Sequence, residues 1–277
     1  MKNSKKNIII ILSVILALSL LGAGSFIAYK KLTKPAPPPP PATVRVTFPE
    51  GSTVAEIAKL LEKNGVCTAQ EFFEAVNNRE NESKFISQIK NPDERPFLLE
   101  GYIFPDTYDF FVGEGADAAL SRFLTNTESK LTDEMYKRAE ELGYTMDEIL
   151  IIASIIQEES SIEDMKTVSS VLHNRLKSPA YPLLQCDATI FYLNDWVNPY
   201  LTEDKKDSYN DLYNTYKKKK LPAGPITNPG IEAINAALYP ESTDYYFFVT
   251  DKDKNYYFAH SFAEHKNNCK AAGIYDK

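Results

Sequence analysis

A carboxyl group acts as a general acid near neutral pH only where its surroundings hold its proton. One stretch of the 277-residue chain supplies such surroundings: Ala153-Ser154-Ile155-Ile156-Gln157-Glu158-Glu159-Ser160, an apolar run that ends abruptly in two adjacent carboxylates. At helical spacing Glu159 lies over Ile156, Ile155 and Ile152, whereas Glu158 lies over Ile155, Ser154 and Ile151. Glu159 is therefore the more apolar-surrounded of the two, and desolvation raises a carboxyl pKa. The competing reading is a solvated helix end, where negative charge is mildly unfavourable and asks for an offset.

The elements that must position this acid follow from pattern. Thr145 with Glu148 three residues on gives a capping-box start, and apolar residues all round mark a helix wrapped by others. Met165, Val168, Val171 and Leu172 mark a second helix, capped by Ser161 with Asp164 and ending at His173-Asn174-Arg175-Leu176. Arg175 either grips an acidic group or complements the helix dipole. The turn Leu184-Gln185-Cys186-Asp187-Ala188-Thr189 gathers polar groups, and Tyr213-Asn214-Thr215-Tyr216 and Leu221-Pro222-Ala223-Gly224-Pro225-Ile226 flank the Lys217–Lys220 run, read as a solvated loop. A helix over 231–238 and a hairpin of strands 245–250 and 256–259 close the chain.

Upstream, residues 117–142 read as helical, and residues 98–108 interleave aromatics with Gly, Pro and Asp. That composition suits a loop lining a sugar-binding groove, with Glu100 and Tyr102 as candidate substrate contacts; the alternative, which composition alone favours, is a strand and turn tucked on the core. Residues 79–94 are charge-rich and read as a connection. A strand-like alternation, Val44-Arg45-Val46-Thr47-Phe48, precedes helices over 54–64 and 70–76, and this piece resembles the LysM-like subdomain found ahead of cell-wall enzymes.

Residues 8–28 carry no charge and are long enough to cross a ~30 Å hydrocarbon core as a helix. A cleaved signal peptide competes, since Gly22, Ala23, Gly24 and Ser25 offer a cleavage site, but the run continues through Phe26 and Ile27, which favours a retained anchor with the bulk of the chain outside. Prolines 35 and 37–41 form an extended spacer. The expected fold class is α+β: a cytoplasmic tail and transmembrane helix (1–34), a Pro-rich linker (35–42), a small LysM-like α+β subdomain with its connection (43–94), and a larger mixed α/β catalytic domain (95–277).

A net charge of −7 argues against nucleic acid as partner. Cys67, Cys186 and Cys269 are widely spaced and odd in number, and His173, His260 and His265 lack metal-ligand spacing, so neither a disulfide framework, a metal nor a cofactor is expected.

Taken in order, Glu100-Gly101-Tyr102-Ile103-Phe104-Pro105-Asp106-Thr107-Tyr108, the Ala153 to Ser160 segment, Asn174-Arg175-Leu176, Leu184-Gln185, Asp187, Thr189, Tyr213-Asn214-Thr215-Tyr216, and Leu221-Pro222 with Gly224, Ile226 and Pro229-Gly230 are similar to the motifs of the endolytic murein transglycosylase, or YceG-like, family. The family's catalytic Glu falls on Glu159, the residue the burial argument selects. Departures include Gln157 and Glu158 where members often have Glu and Lys, Ser160 for Thr, Cys186 for a small polar residue and Ala188 for Pro. The resemblance implies non-hydrolytic cleavage between N-acetylmuramic acid and N-acetylglucosamine in peptidoglycan glycan strands, leaving 1,6-anhydro ends, beside peptidoglycan synthases and with the membrane as anchor. It makes Gln185, Asp187, Asn214, Thr215 and Tyr216 candidates for substrate positioning. Two readings compete with it. One is muramidase hydrolysis with Asp106, Asp187 or Glu158 as second acid; the other is a non-catalytic, membrane-tethered wall-binding scaffold.

Overall fold

The computed structural model describes residues 41–80 and 83–274, together with positions 6, 12–16, 18–20, 22, 23 and 25. The chain divides into two compact units, Met1–Pro41 and Ala42–Lys277. In the first, the described positions from 6 to 25 are helical, and Leu12, Val14, Ile15, Leu16, Leu18 and Leu20 are exposed. The rest of the expected membrane span, and the proline tract at 35 and 37–40, lie outside the described residues. Among the described residues no helix is long and apolar enough to cross a membrane.

The second unit is a mixed α+β body. It begins with β1 (Thr43–Thr47), α1 (Val54–Lys63) and α2 (Ala69–Val76). Thr53 and Thr68 each open a helix with a reciprocal capping box to Glu56 and Glu71. The partner of β1 is β2 (Thr107–Phe111), paired antiparallel from Thr43 opposite Phe111 to Thr47 opposite Thr107. The strand completing this small sheet thus comes from beyond residue 94, and its inward side chains Tyr108 and Phe110 pack with Phe48 against Phe123 of α3 (Ala116–Lys130), ring centroids lying 4.6–5.7 Å from Phe123. Edge-to-face packing of this kind contributes beyond the area it buries.

The helical stretch expected over 117–142 is two helices, α3 and α4 (Asp133–Leu142). Leu131 turns into the extended region and buries itself, and the Thr132 side chain accepts from the Met135 N–H to start the next helix. The central helix α5 (Met146–Glu159) has the expected capping box between Thr145 and Glu148, and its residues from Ile149 to Ile156 are all buried. Around it lie α4, α6 (Met165–Lys177) and α9 (Ile231–Leu238). Ser161 does not cap α6; it donates to Asp164 within a turn, and α6 starts after Asp164 with no side-chain cap. The polar segment after α6 leads into α7 (Ala188–Phe191), a wide π-turn over Tyr192–Val197 and α8 (Glu203–Tyr213). Strands β3 (Phe247–Thr250) and β4 (Tyr256–Ala259) form the expected hairpin, backed by α10 (Phe262–Ala271).

In the segment expected to line a groove, residues 98–105, with Glu100 and Tyr102, are instead interior, and Asp106 and Thr107 are exposed. Both residues are at most 1% exposed. A buried carboxylate needs donors, and Glu100 has the Val54 N–H at 3.0 Å, Asn228 Nδ2 at 2.8 Å and the Tyr192 hydroxyl at 3.2 Å. The Tyr102 hydroxyl donates to Asp147 Oδ1 at 2.6 Å, and Asp147 also pairs with buried Arg95 at 2.5 Å. Gly101 between them adopts φ +85°, and a Cβ there would come within 2.5 Å of Pro225. Glu100 makes a joint here: it ties the N-terminus of α1 to the loop carrying Asn228 and to Tyr192.

Candidate active site

Glu159 is the last residue of α5 and is half-buried, whereas its neighbour Glu158 is exposed. Desolvation, opposed by an N–H from Ala188 at 3.4 Å and reinforced by the charges of Asp187 and Glu158, pushes the Glu159 carboxyl up to about 7. Two cavities meet at this side chain. One, of about 510 Å³, runs between α6, the 184–187 turn, Tyr216 and the hairpin; the other, of about 320 Å³, is bounded by Phe191, Tyr192, Trp196, Ile226 and Thr227. Glu159 and Asp187 line both.

The helix end is fixed from several sides. Ser154 Oγ accepts from the Ile226 N–H at 3.0 Å and Gln157 Oε1 from the Gly230 N–H at 3.0 Å, so α5 itself anchors the loop that walls the smaller cavity. From the hairpin, the Tyr256 hydroxyl donates to the Glu159 carbonyl at 2.9 Å. That bond satisfies a carbonyl at the end of α5.

Arg175 of α6 shapes the opposite wall. Its guanidinium donates to the carbonyls of Leu183, Leu184 and Tyr246 and to Gln185 Oε1, and it lies 4.8 Å from the centre of the Phe247 ring. Gln185 has φ +55°, a left-handed conformation uncommon for a residue with a side chain. Thr215 holds the same turn from the other side: its carbonyl accepts from the Gln185 N–H and its hydroxyl oxygen from the Cys186 N–H. Asp187 then projects between the cavities, and the Tyr216 hydroxyl donates to its Oδ1 at 2.7 Å. Loss of water and the bond to Asp187 hold the Tyr216 phenol far above its ordinary range, so it remains a donor.

Of the residues selected from sequence, Glu159, Gln185, Asp187 and Tyr216 come together around the larger cavity. Thr215 is fully buried beneath them, and Asn214 shapes the turn after α8 by accepting the Tyr216 N–H. Glu100 and Tyr102 do not reach the cavities, as described above. Sequence reasoning overlooked Phe191, Trp196 and Phe248 as cavity walls and Tyr256 as the donor to the end of α5; their aromatic character was visible, but nothing local distinguishes a cavity wall from a core. Among the described residues no cluster of three or more His, Cys, Asp or Glu side chains could hold a metal ion. The chemistry that the site's own residues offer is proton transfer by one carboxyl, in a groove open on both sides of it.

Comparison with known proteins fits this arrangement. The model of the YceG-like family matches residues 25–271, nearly the whole chain. The chain belongs to the YceG-like family. A Bacillus subtilis (strain 168) protein named endolytic murein transglycosylase is 31% identical over 216 residues, 75% of this chain and 54% of that protein. A protein of the same name from Streptococcus pneumoniae serotype 2 (strain D39) is 28% identical over 251 residues, 83% of this chain and 45% of that protein. This YceG-like chain thus spans about half the length of the curated relatives it matches. The 2.6 Å crystal structure of a YceG-like protein from Listeria monocytogenes superposes with a TM-score of 0.63 at 27% identity, covering 82% of this chain and 75% of that one.

Proposed function

We propose that this chain is an endolytic lytic transglycosylase acting on peptidoglycan glycan strands. The observation that carries the reading is a single half-buried carboxyl, held near pH 7, where two cavities meet. Protonated Glu159 donates to the glycosidic oxygen as the bond from the N-acetylmuramic acid anomeric carbon to that oxygen breaks. The resulting carboxylate takes the proton from the C6 hydroxyl as O6 bonds to the anomeric carbon. The acid is regenerated, no water is consumed, and the new end is a 1,6-anhydro sugar. A groove passing on both sides of Glu159 suits cuts within a strand. Gln185, Asp187 and Tyr216 position the sugar, with Thr215 and Asn214 holding their turns.

Anchoring belongs to the same proposal. The uncharged run over 8–28, whose described apolar positions are exposed, spans the membrane and leaves the unit from residue 42 outside the cytoplasm. There the enzyme works beside peptidoglycan synthases and sizes nascent strands. The strand followed by two short helices over residues 43–76 supports reading this part as a LysM-like unit with a glycan-holding role.

The test is incubation with uncrosslinked peptidoglycan strands and mass spectrometry of the new ends, with Glu159→Gln in parallel. Anhydro ends lost in the variant are expected. Reducing ends would instead indicate muramidase hydrolysis, and intact strands with a folded, strand-binding protein would indicate a scaffold.

A further inference from the structure

The groove holds a second carboxylate whose placement is built with care. Asp187 and Glu159 are the two acids common to both cavities, so both border the place where the cavities meet. The turn presenting Asp187 keeps a left-handed Gln185, a conformation that persists only where surrounding bonds over-determine it. Those bonds are present: Arg175 on Gln185 Oε1, and Thr215 on the Gln185 and Cys186 N–H groups. Tyr216 fixes the carboxylate itself through its 2.7 Å hydrogen bond.

We propose that Asp187, oriented by the Tyr216 hydroxyl, is the anion that stabilises the positively charged, oxocarbenium-like sugar formed as Glu159 gives up its proton. This deepens the transglycosylase reading and rests on it. Cleavage at the anomeric carbon leaves cationic character on the ring before O6 closes onto it, and a preorganised carboxylate stabilises such charge without reorganising. Asp187 forms no covalent bond to the sugar and moves no proton; Glu159 does both proton transfers. The Ala188 N–H, adjacent to Asp187 in the chain, reaches Glu159 Oε1, so one short turn addresses both the acid and the developing cation. Tyr216 acts through Asp187 and is a positioning residue.

A transition-state charge can be mimicked without turnover, so the test uses binding. Two N-acetylmuramic acid analogues are titrated against the full chain by calorimetry: an iminosugar with a protonated ring nitrogen, and its neutral lactam counterpart. Asp187→Asn should weaken the cationic analogue by about ten- to hundredfold and the neutral one by less than about threefold. Tyr216→Phe should weaken the cationic analogue by about three- to tenfold, again selectively. Equal weakening of both analogues, or none, overturns the proposal. Unchanged thermal melting of each variant separates charge loss from misfolding, and Asp187→Glu, which restores the anion, should recover part of the selectivity. If the wild-type chain leaves glycan strands intact while the cationic preference still depends on Asp187, the transglycosylase reading falls and takes the cation-stabilising role with it, leaving Asp187 as a cation-binding position; cleavage by wild type with no Asp187-dependent preference overturns this proposal alone.

Discussion

A half-buried acid such as Glu159 opposes the stability of its own fold. Its carboxyl is raised to about 7 in the folded state, above the ordinary value of about 4.3 in an unfolded chain. Between those values the folded state binds the proton more tightly, so stability falls as pH rises through this window and the cost is full above about 7. Glu159→Gln removes it. The variant should melt higher than wild type at pH 8 and about equally at pH 4, as differential scanning calorimetry would record; a lower melting temperature at pH 8 would contradict the assigned burial. Activity should follow the protonated acid, so kcat/KM should fall above about pH 7 along a single ionisation. The sequence made Glu159 legible because its neighbours at helical spacing are isoleucines. Glu100 was misread for an equally plain reason: its donors come from Val54, Tyr192 and Asn228, 46, 92 and 128 residues away, and no local pattern reports them.

At the scale of elements, capping and close approach decide whether the groove is assembled. The Thr145 hydroxyl accepts from the Glu148 N–H while Glu148 returns a carboxylate to the Thr145 N–H. Thr145→Ala should therefore cost about 0.5–2 kcal/mol in urea unfolding, with little effect on cleavage, because it lies at the far end of α5 from Glu159. Gly101→Ala is a harsher change. The left-handed backbone alone costs about 1–2 kcal/mol, and the new Cβ would press on Pro225 in the loop that walls the smaller cavity. Both stability and cleavage should drop, and loss of stability without loss of activity would show that the loop tolerates displacement. The cap of α5 was readable because a Thr with Glu three residues on is a local code, and Thr53 and Thr68 carry the same code ahead of α1 and α2; the break between α3 and α4 was not, because Leu131 leaves the helix to reach the core. Ser161 shows the limit of that code, since its hydroxyl was drawn to Asp164 instead of an N–H group.

At the scale of the molecule, the two halves drawn in sequence at residue 94 share one sheet and one buried carboxylate. A chain beginning at residue 95 would strip β1 from β2, uncover Tyr108, Phe110 and Phe123, and leave Glu100 without the Val54 N–H. Such a fragment should fail to fold: far- and near-ultraviolet circular dichroism would show no cooperative melt, whereas the unit from residue 42 onward should show one. Sequence could propose the strand at 44–48 but not its partner, because pairing across such a gap leaves no periodic trace.

That same pairing sets a clock on biosynthesis. Arg45 and its cross-strand mate Asp109 are 64 residues apart, and at roughly 5–20 residues per second the first strand waits about 3–13 s after synthesis for the second to appear. During that interval Val44, Val46 and Phe48 form a short apolar edge with nothing to cover it. Arg45, and the threonines at either end of the strand, keep that waiting edge polar on its other face, which is the kind of guard that discourages a nascent strand from pairing with a neighbour.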